Sequence, residues 1–224
     1  MYRTLLSVPR TCPLPSLCWD MGGVQMRFRI ISKKLHFLWH LVNLDNNTLA
    51  KEILLIQRDQ NLPGLVSECL EWISNYGLPN ILDEKITKPQ WKAKVNKAIA
   101  KANEDDLRCK MAKYEKLRNS ELIDETFETK PYIKNLTVHS ARMIFKKRVS
   151  MMQYVKMNYM SDLRYVKSMW LCDSCQKSID SMNHVLWCES YRELREGKDL
   201  KDDKDLASYL HDVFRNRNKL EIDR

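Results

Sequence analysis

Three cysteines and one histidine near the carboxy-terminal end constrain the fold of this chain more than any other sequence feature. They are Cys172, Cys175, His184 and Cys188, spaced as C-x2-C-x8-H-x3-C. Two thiolates separated by two residues can face one ion from a tight turn, and side chains four residues apart share one side of a helical turn. Four such ligands satisfy a tetrahedral structural zinc. The spacing therefore predicts one zinc ion in a small zinc knuckle over residues 169–192.

Other interpretations of these four residues remain open. The cysteines could be small core residues beside an unrelated histidine, or Cys172 and Cys175 could form a redox pair, although no thioredoxin-type pattern of strand and helix surrounds them. A catalytic zinc is disfavoured because four protein ligands leave no open position for water. The chain has 7 cysteines, and those outside the knuckle are scattered. This usage predicts a reducing compartment instead of a disulfide framework.

Positive charge is concentrated in two stretches of the sequence. The chain of 224 residues has a formal net charge of +9. Residues 26–40 contain four cations and no acid, and residues 139–167 contain cations opposed only by Asp162. Cations that neutralise phosphates release condensed counterions, so such stretches favour polyanionic partners. We expect RNA or DNA as the partner, with single-stranded or structured RNA favoured. The equal alternative is that these cations form a solvated helix face without a binding role.

The candidate nucleic-acid-binding residues are the cations before the knuckle and the two tryptophans that flank it. An exposed aromatic ring can stack on an unpaired base, which contributes about 1–3 kcal/mol per base. The alternative is that each ring packs over the metal ligands of a small module. The predicted set is Arg142, Lys146, Lys147, Arg148, Lys156, Arg164, Lys167, Trp170 and Trp187.

The spacing of apolar residues predicts a mainly α fold, with helical segments followed by the small zinc knuckle and a terminal helix. Only 5 glycines and 7 prolines occur in the chain, which argues against a many-turned β architecture. Proline and glycine near the start predict an extended segment. We expect an extended leading segment over residues 1–24, a helical region over 25–120, a linker and basic helix over 121–168, the knuckle over 169–192, and a charged loop with a terminal amphipathic helix over 193–224.

Three local signals within the helical region make testable predictions about its helices. Leu49, Ile53 and Ile56 recur at helical spacing and predict a helix from about Thr48 to Gln60, with Thr48 placed to accept a backbone amide at its start. The segment 87–90, Thr-Lys-Pro-Gln, has the form of a capping box at a helix start. The polar run that begins at Asn103 predicts the restart of a further helix.

No apolar stretch of the sequence has the 18 or so uncharged residues that a membrane helix needs. The opening residues lack the apolar core of a signal peptide and the repeated amphipathic arginines of a transit peptide. We therefore expect an intracellular protein of the nucleus or cytoplasm, without a targeting segment and not secreted.

Several segments, taken in order, resemble a known family. Val8-Pro-Arg-Thr-Cys-Pro, Trp19-Asp-Met-Gly-Gly-Val-Gln-Met-Arg-Phe-Arg-Ile and Lys34-Leu-His-Phe-Leu-Trp-His-Leu look like the region after the polymerase core of non-LTR, LINE-type retrotransposon reverse transcriptases. Asn158-Tyr-Met-Ser-Asp, the knuckle itself and Tyr191-Arg-Glu-Leu-Arg-Glu-Gly-Lys-Asp-Leu resemble the zinc-bearing carboxy-terminal part of the same family. The resemblance spans nearly the whole chain.

The resemblance implies a non-catalytic segment of an RNA-directed DNA polymerase. In that family the polymerase copies element RNA into DNA at a nicked target, and the carboxy-terminal region helps to hold the RNA template and target DNA. The paired metal-binding aspartates of the polymerase have no match here, because both candidate Asp-Asp pairs, at 105–106 and 202–203, lie in charged helical or loop contexts. Without them no two-metal centre forms.

We therefore expect a truncated or domesticated nucleic-acid-binding remnant that is not an enzyme. The alternative is a helical protein-interaction or structural domain whose zinc is purely structural. A third hypothesis is an activity that exists only in a whole polyprotein.

Overall fold

The computed structural model describes residues 2–8, 10–114, 126–149, 151–152 and 170–222. The chain is mainly α-helical, as the sequence predicts. It divides into two compact units: residues 24–107 form the central unit, and residues 1–23 with 108–224 form the outer unit. The two ends of the chain therefore belong to one unit, which the order of segments in the sequence does not reveal.

The described part of the chain forms helices from its first residues to its last. In chain order they are α1 (Tyr2–Leu5), α2 (Leu14–Asp20), α3 (Met26–Val42), α4 (Leu49–Asp59), α5 (Leu65–Asn75), α6 (Lys88–Ala112), α7 (Pro131–Asn135), α8 (Val138–Arg148), α9 (Met182–Trp187), α10 (Arg192–Arg195) and α11 (Asp203–Ile222). A short 3-10 helix, Glu189–Tyr191, precedes α10. None of these helices is long and apolar enough to cross a membrane.

The first 24 residues are helical where the sequence predicts an extended segment. Besides the short α1, they form α2, which buries Leu17 and Trp19 completely. Of the three prolines that suggested an extended chain, Pro13 is the N-cap of α2 and Pro15 lies in its first turn, whereas Pro9 lies outside the described residues. Proline is tolerated at these positions because the first amides of a helix have no partner within the helix.

The core of the central unit is formed by α3, α4, α5 and α6. Its buried side chains are Phe28, Leu35, Leu38, Leu54, Val66, Cys69, Ile73, Ile81, Trp91, Val95 and Ile99. Trp91 lies at its centre and its indole Nε1 donates to the carbonyl oxygen of Leu35 at 3.2 Å, so this polar atom is satisfied inside the core. A cluster of this size allows the unit to be stable without a metal.

The helix α6 runs without interruption through the point where the sequence predicts a restart. Its start agrees with the predicted capping box, since the Thr87 backbone amide donates to Oε1 of Gln90 at 3.3 Å. Asn103 does not begin a new helix. Its side chain is buried, and its Oδ1 accepts a hydrogen bond from the backbone amide of Gln25 at 3.0 Å. The asparagine is thus engaged in a tertiary contact and not in capping.

The helix predicted from Leu49, Ile53 and Ile56 is confirmed as α4, but these three residues are not the ones that it buries. Leu49, Ile53 and Ile56 are exposed, Leu49 at 70% of its surface, and the helix instead buries Leu54. Both faces of this helix carry large aliphatic residues, so periodicity alone does not identify the one that meets the core. The structure leaves an apolar stripe on the exterior of the central unit.

The outer unit is organised around α8, α11 and a buried carboxylate at the end of α2. Helices α8 and α11 pack together and bury Phe145 and Tyr209. The carboxylate of Asp20 accepts hydrogen bonds from the hydroxyl of Tyr132 at 2.7 Å and from Nε of Arg148 at 3.0 Å. These contacts join α2 to α7 and α8. Burial, followed by the charge of Asp20, raises the pKa of Tyr132, so its hydroxyl remains a donor.

Candidate metal centre

The four predicted ligands meet at one point of the outer unit. The thiol sulfurs of Cys172, Cys175 and Cys188 and a ring nitrogen of His184 all lie within 4.8 Å of one another. Sγ of Cys175 and Nε2 of His184 are 3.2 Å apart. Ligands of a tetrahedral zinc with Zn–S bonds of about 2.3 Å lie about 3.8 Å apart, so small movements would bring all four onto one ion. The cluster could therefore hold a metal ion.

A tight hairpin presents the first two cysteines. The backbone amide of Cys172 donates to the carbonyl of Ser178 at 2.9 Å, and the amide of Gln176 donates to the carbonyl of Cys172 at 2.8 Å. Gln176 has a φ of 55°, which turns the chain back after Cys175. The amide of Lys177 then points at Sγ of Cys175, 3.5 Å away. The turn thus offers both thiols on its inner side.

The other two ligands come from the short helix α9 and the residue after it. Ser181 caps this helix, since its Oγ accepts from the backbone amide of His184 at 3.2 Å. The helix buries Val185, and Cys188 follows directly after its last residue. The hydroxyl of Tyr209 on α11 donates to the carbonyl of Val185 at 2.6 Å. These contacts fix the imidazole and the third thiol opposite the hairpin.

The surroundings favour the protonation states that a metal requires at two of the ligands. Burial lowers the pKa of His184, so a ring nitrogen is available as a ligand near neutral pH. Burial alone would raise the pKa of the Cys175 thiol, but hydrogen bonds from the backbone amides of Lys177 and Ser178 lower it below its ordinary value. Burial raises the pKa of Cys188. A bound cation would outweigh that effect, because coordination deprotonates a thiol.

An arginine from the terminal helix lies directly behind the ligands. Nη2 of Arg217 donates to Sγ of Cys172 at 3.8 Å, and the guanidinium makes two hydrogen bonds to the carboxylate of Asp180, at 3.0 and 2.7 Å. Its Nε donates to the hydroxyl of Tyr191 at 2.9 Å. Groups of this kind orient metal ligands and tune their basicity. The arginine connects α11 to the hairpin and to the 3-10 helix.

The sequence predicted the four residues that cluster here, but it did not predict the contacts of Arg217 behind them. Arg217 is 29 residues beyond Cys188, inside a helix whose spacing of apolar residues is that of an ordinary amphipathic helix. Nothing in its local spacing indicates a contact with Cys172. One sequence signal could have indicated this contact: Arg217 lies four residues after Val213, on the predicted apolar side of α11. A cation that is buried on such a side requires a polar or charged partner.

The four cations of α8 have different surroundings. Arg148 forms a bidentate ion pair with Asp20, and Nε of Arg142 donates to the carbonyl of Leu5 at 2.8 Å. Lys146 is half-buried, and burial lowers its pKa, with the charge of Arg142 acting in the same direction. Lys147 is also half-buried. Their role in binding phosphate remains a prediction, and the contacts of Arg148 make it the least available of the four.

The remaining predicted residues fall into two groups. Trp187 is 68% exposed on α9, three residues after the ligand His184, whereas Trp170 is half-buried beside the hairpin. The structure therefore leaves the Trp187 ring available for stacking. Lys156, Arg164 and Lys167 lie outside the described residues.

Comparisons with family models, with curated proteins and with solved structures give no match for this chain. The metal cluster and its surroundings therefore carry the functional argument.

Proposed function

We propose that Cys172, Cys175, His184 and Cys188 hold one structural zinc ion, and that the chain is a non-catalytic nucleic-acid-binding segment derived from the region after the polymerase core of a LINE-type reverse transcriptase. The observation that carries the proposal is the convergence of three thiols and one imidazole within 4.8 Å. Three thiolates and a neutral imidazole form a ligand set that favours zinc over the other common cellular cations. All four positions come from the protein, which is typical of a structural site.

Charge and an exposed aromatic ring support the nucleic-acid part of the proposal. The formal net charge of +9 gives the protein an attraction for polyanions, and Trp187 offers an exposed ring beside the metal cluster. Zinc would fix the position of that ring, because Trp187 lies between the ligands His184 and Cys188. The order of the sequence segments that resemble the retroelement family supports the proposed origin.

The metal part is tested by elemental analysis of the purified chain and by cobalt substitution. We expect one zinc per chain, and a cobalt form whose visible spectrum reports tetrahedral coordination with thiolate ligands. Cys175→Ala should reduce the zinc content to near zero. Cys109→Ala is the matched control, because Cys109 is exposed on α6, outside the cluster. Unchanged zinc in Cys175→Ala would overturn the assignment.

The nucleic-acid part is tested by titrating a labelled single-stranded RNA at several salt concentrations. We expect affinity to fall steeply as salt increases, because bound phosphates release counterions on association. Trp187→Ala should weaken binding about 10-fold, in line with the loss of one stacked base at about 1–3 kcal/mol. Tyr114→Ala removes another exposed aromatic ring and serves as the control. Absence of binding by the wild-type chain at low salt would remove this part of the proposal.

A second candidate function is favoured by one observation on the central unit. The exposed stripe of Leu49, Ile53 and Ile56 on α4 suits an apolar protein partner better than a nucleic acid. In that case the zinc serves only the fold, and association with the partner depends weakly on salt. Ile53→Asp should then abolish the association while leaving RNA titrations unchanged.

A further inference from the structure

The central unit has an open groove between α3 and α6 that combines apolar walls with a cationic rim. Its volume is about 390 Å³. Val24 and Phe28 from the side of α3 and Ile99 from α6 provide apolar surface, and Ser32 and Asn96 provide polar groups. Arg29 and Lys33 stand at its edge. All of these residues belong to the central unit, so the groove is separate from the candidate metal centre.

The four cations of α3 divide into two pairs with different surroundings. Arg27 forms an ion pair with Asp106, and Lys34 forms one with Glu68. Arg29 and Lys33 line the groove, and no carboxylate within the described part of the chain pairs with either of them. The sequence contains no acid among residues 26–40 and does not distinguish these pairs. Within the part of the chain that the structure describes, the fold neutralises one pair and leaves the charge of the other for a partner.

Arg29 is held in position at the edge of the groove. Its Nε donates to the backbone carbonyl of Val24 at 3.0 Å, which fixes the guanidinium while its two terminal nitrogens can still contact an anion. Lys33 follows one helical turn later, about 6 Å along the axis. Two cations at this spacing on one helix face can contact neighbouring phosphates of a single strand.

The neighbouring turn of α6 extends the positive surface. Lys92 precedes Asn96 by one turn, is exposed, and has no ion-pair partner in the described residues. Burial lowers the pKa of His36, which lies beside Lys92 and Asn96. The imidazole is therefore neutral near pH 7 and offers a hydrogen-bonding nitrogen. Asn96 lines the groove itself, and Lys92 and His36 are its neighbours just outside the lining.

We propose that this groove binds single-stranded RNA, with phosphates on Arg29 and Lys33 and an unstacked base inside the groove beside Val24 and Ala100. The inference rests on the proposed nucleic-acid-binding function and assigns it a site. An apolar surface beside two cations that pair with no carboxylate among the described residues complements a nucleotide, which has a flat apolar face and an anionic backbone. An acidic peptide would pair with the two cations but would make no contact with the apolar wall of the groove. The Ser32 hydroxyl and the Asn96 amide provide partners for a ribose 2′-hydroxyl.

The test compares two double variants of equal charge in the zinc-loaded full-length chain. Binding of a fluorescein-labelled 12-nucleotide oligouridylate is measured by anisotropy between about 50 and 200 mM salt. Arg29→Gln with Lys33→Gln should weaken binding about 10-fold and reduce the salt slope by about 1.4, because each phosphate contact on a single strand contributes about 0.7. Arg27→Gln with Lys34→Gln removes the same charge from the same helix and should change the affinity less than about 2-fold.

A third variant separates base insertion from charge. Ala100 lines the groove and is exposed, so Ala100→Phe fills it without changing charge. We expect binding about 5-fold weaker with an unchanged salt slope, as for the loss of one stacked base. Circular dichroism of each variant verifies that α3 and α6 persist. Unchanged affinity in Ala100→Phe would overturn the placement of a base in the groove.

The remaining outcomes distinguish this inference from the proposed function. If the wild-type chain binds the RNA but both charge variants weaken binding equally, or neither does, the groove assignment is overturned and the proposed function survives. If the wild-type chain binds no RNA at low salt, both are overturned. Equal affinity for oligothymidylate would overturn the choice of RNA over DNA, and equal competition by a glutamate peptide of the same charge would overturn the choice of a nucleic acid.

Discussion

At the scale of single residues, Arg217 connects the candidate metal centre to the rest of the outer unit. A zinc ion with three thiolates would carry one excess negative charge, and the buried guanidinium of Arg217 would donate a hydrogen bond to the Cys172 thiolate. Asp180 holds the guanidinium through two hydrogen bonds. Arg217 is thus a positioning residue for the metal ligands.

Arg217→Lys should weaken zinc binding about 10- to 100-fold, because lysine cannot contact the thiolate and both carboxylate oxygens together. Competition with a chromogenic chelator measures the affinity, and the cobalt spectrum should change because one thiolate loses its hydrogen bond. Arg215→Lys, on an exposed position of the same helix, is the control. Equal zinc affinity and identical cobalt spectra in the two variants would contradict this role.

A second single-residue prediction concerns the buried carboxylate of Asp20. It accepts hydrogen bonds from Tyr132 and Arg148 and is completely buried. Asp20→Asn removes the charge that compensates Arg148, and breaking a buried ion pair in this way costs about 3 kcal/mol. Urea unfolding should show this decrease in the free energy of unfolding, whereas Asp45→Asn on an exposed loop should not. A loss below about 0.5 kcal/mol would mean that the ion pair contributes little to stability.

At the scale of elements, we expect the hairpin and α9 to depend on a bound metal ion for their mutual position. The ligand hairpin contains few buried apolar side chains, and the hydrogen bonds of the cluster connect it to α9 and to Arg217. Metal binding and folding are coupled in such small modules.

Removal of zinc by a chelator should therefore increase amide hydrogen exchange over residues 170–195 by at least about 10-fold. The amides of α3 and α6 should exchange at an unchanged rate, because the core of the central unit contains none of the ligands. Exchange measured by mass spectrometry on peptic peptides gives both values in one experiment. An increase spread evenly over the chain would indicate that the metal supports the whole fold.

The individual helices and the metal cluster show which structural features could be predicted from the sequence and which could not. Local signals sufficed where chemistry and spacing act within a few residues, as at the capping box of Thr87 and at the four ligands. They failed where tertiary contacts decide. The choice of Leu54 over Ile53 as the buried residue of α4 depends on which side of the helix meets the core. The role of Asn103 depends on Gln25, 78 residues earlier.

At the scale of the whole molecule, the chain consists of one unit inserted into another. Residues 24–107 have their own core, whereas the outer unit joins the first 23 residues to the region after 108. The boundary falls inside α6, so a fragment that preserves the complete helix must extend at least to residue 112, and residue 114 is the last described residue of this segment. Any metal-dependent change is expected in the outer unit, which contains all four ligands.

The fragment 24–114 should accordingly fold alone and independently of zinc. Its core closes around Trp91 and Val95, both almost fully buried, so it has the apolar cluster that a cooperative domain needs. We expect a helical circular dichroism spectrum and a single urea transition that zinc and chelator leave unchanged. Val95→Asp should abolish the transition, because a buried unpaired carboxylate is strongly destabilising. Lys94→Asp, on the neighbouring exposed position, should retain it. If the fragment shows no cooperative transition, the central unit is stable only within the 224-residue chain. There would then be no physical reason to expect that amide hydrogen exchange in α3 and α6 is independent of zinc.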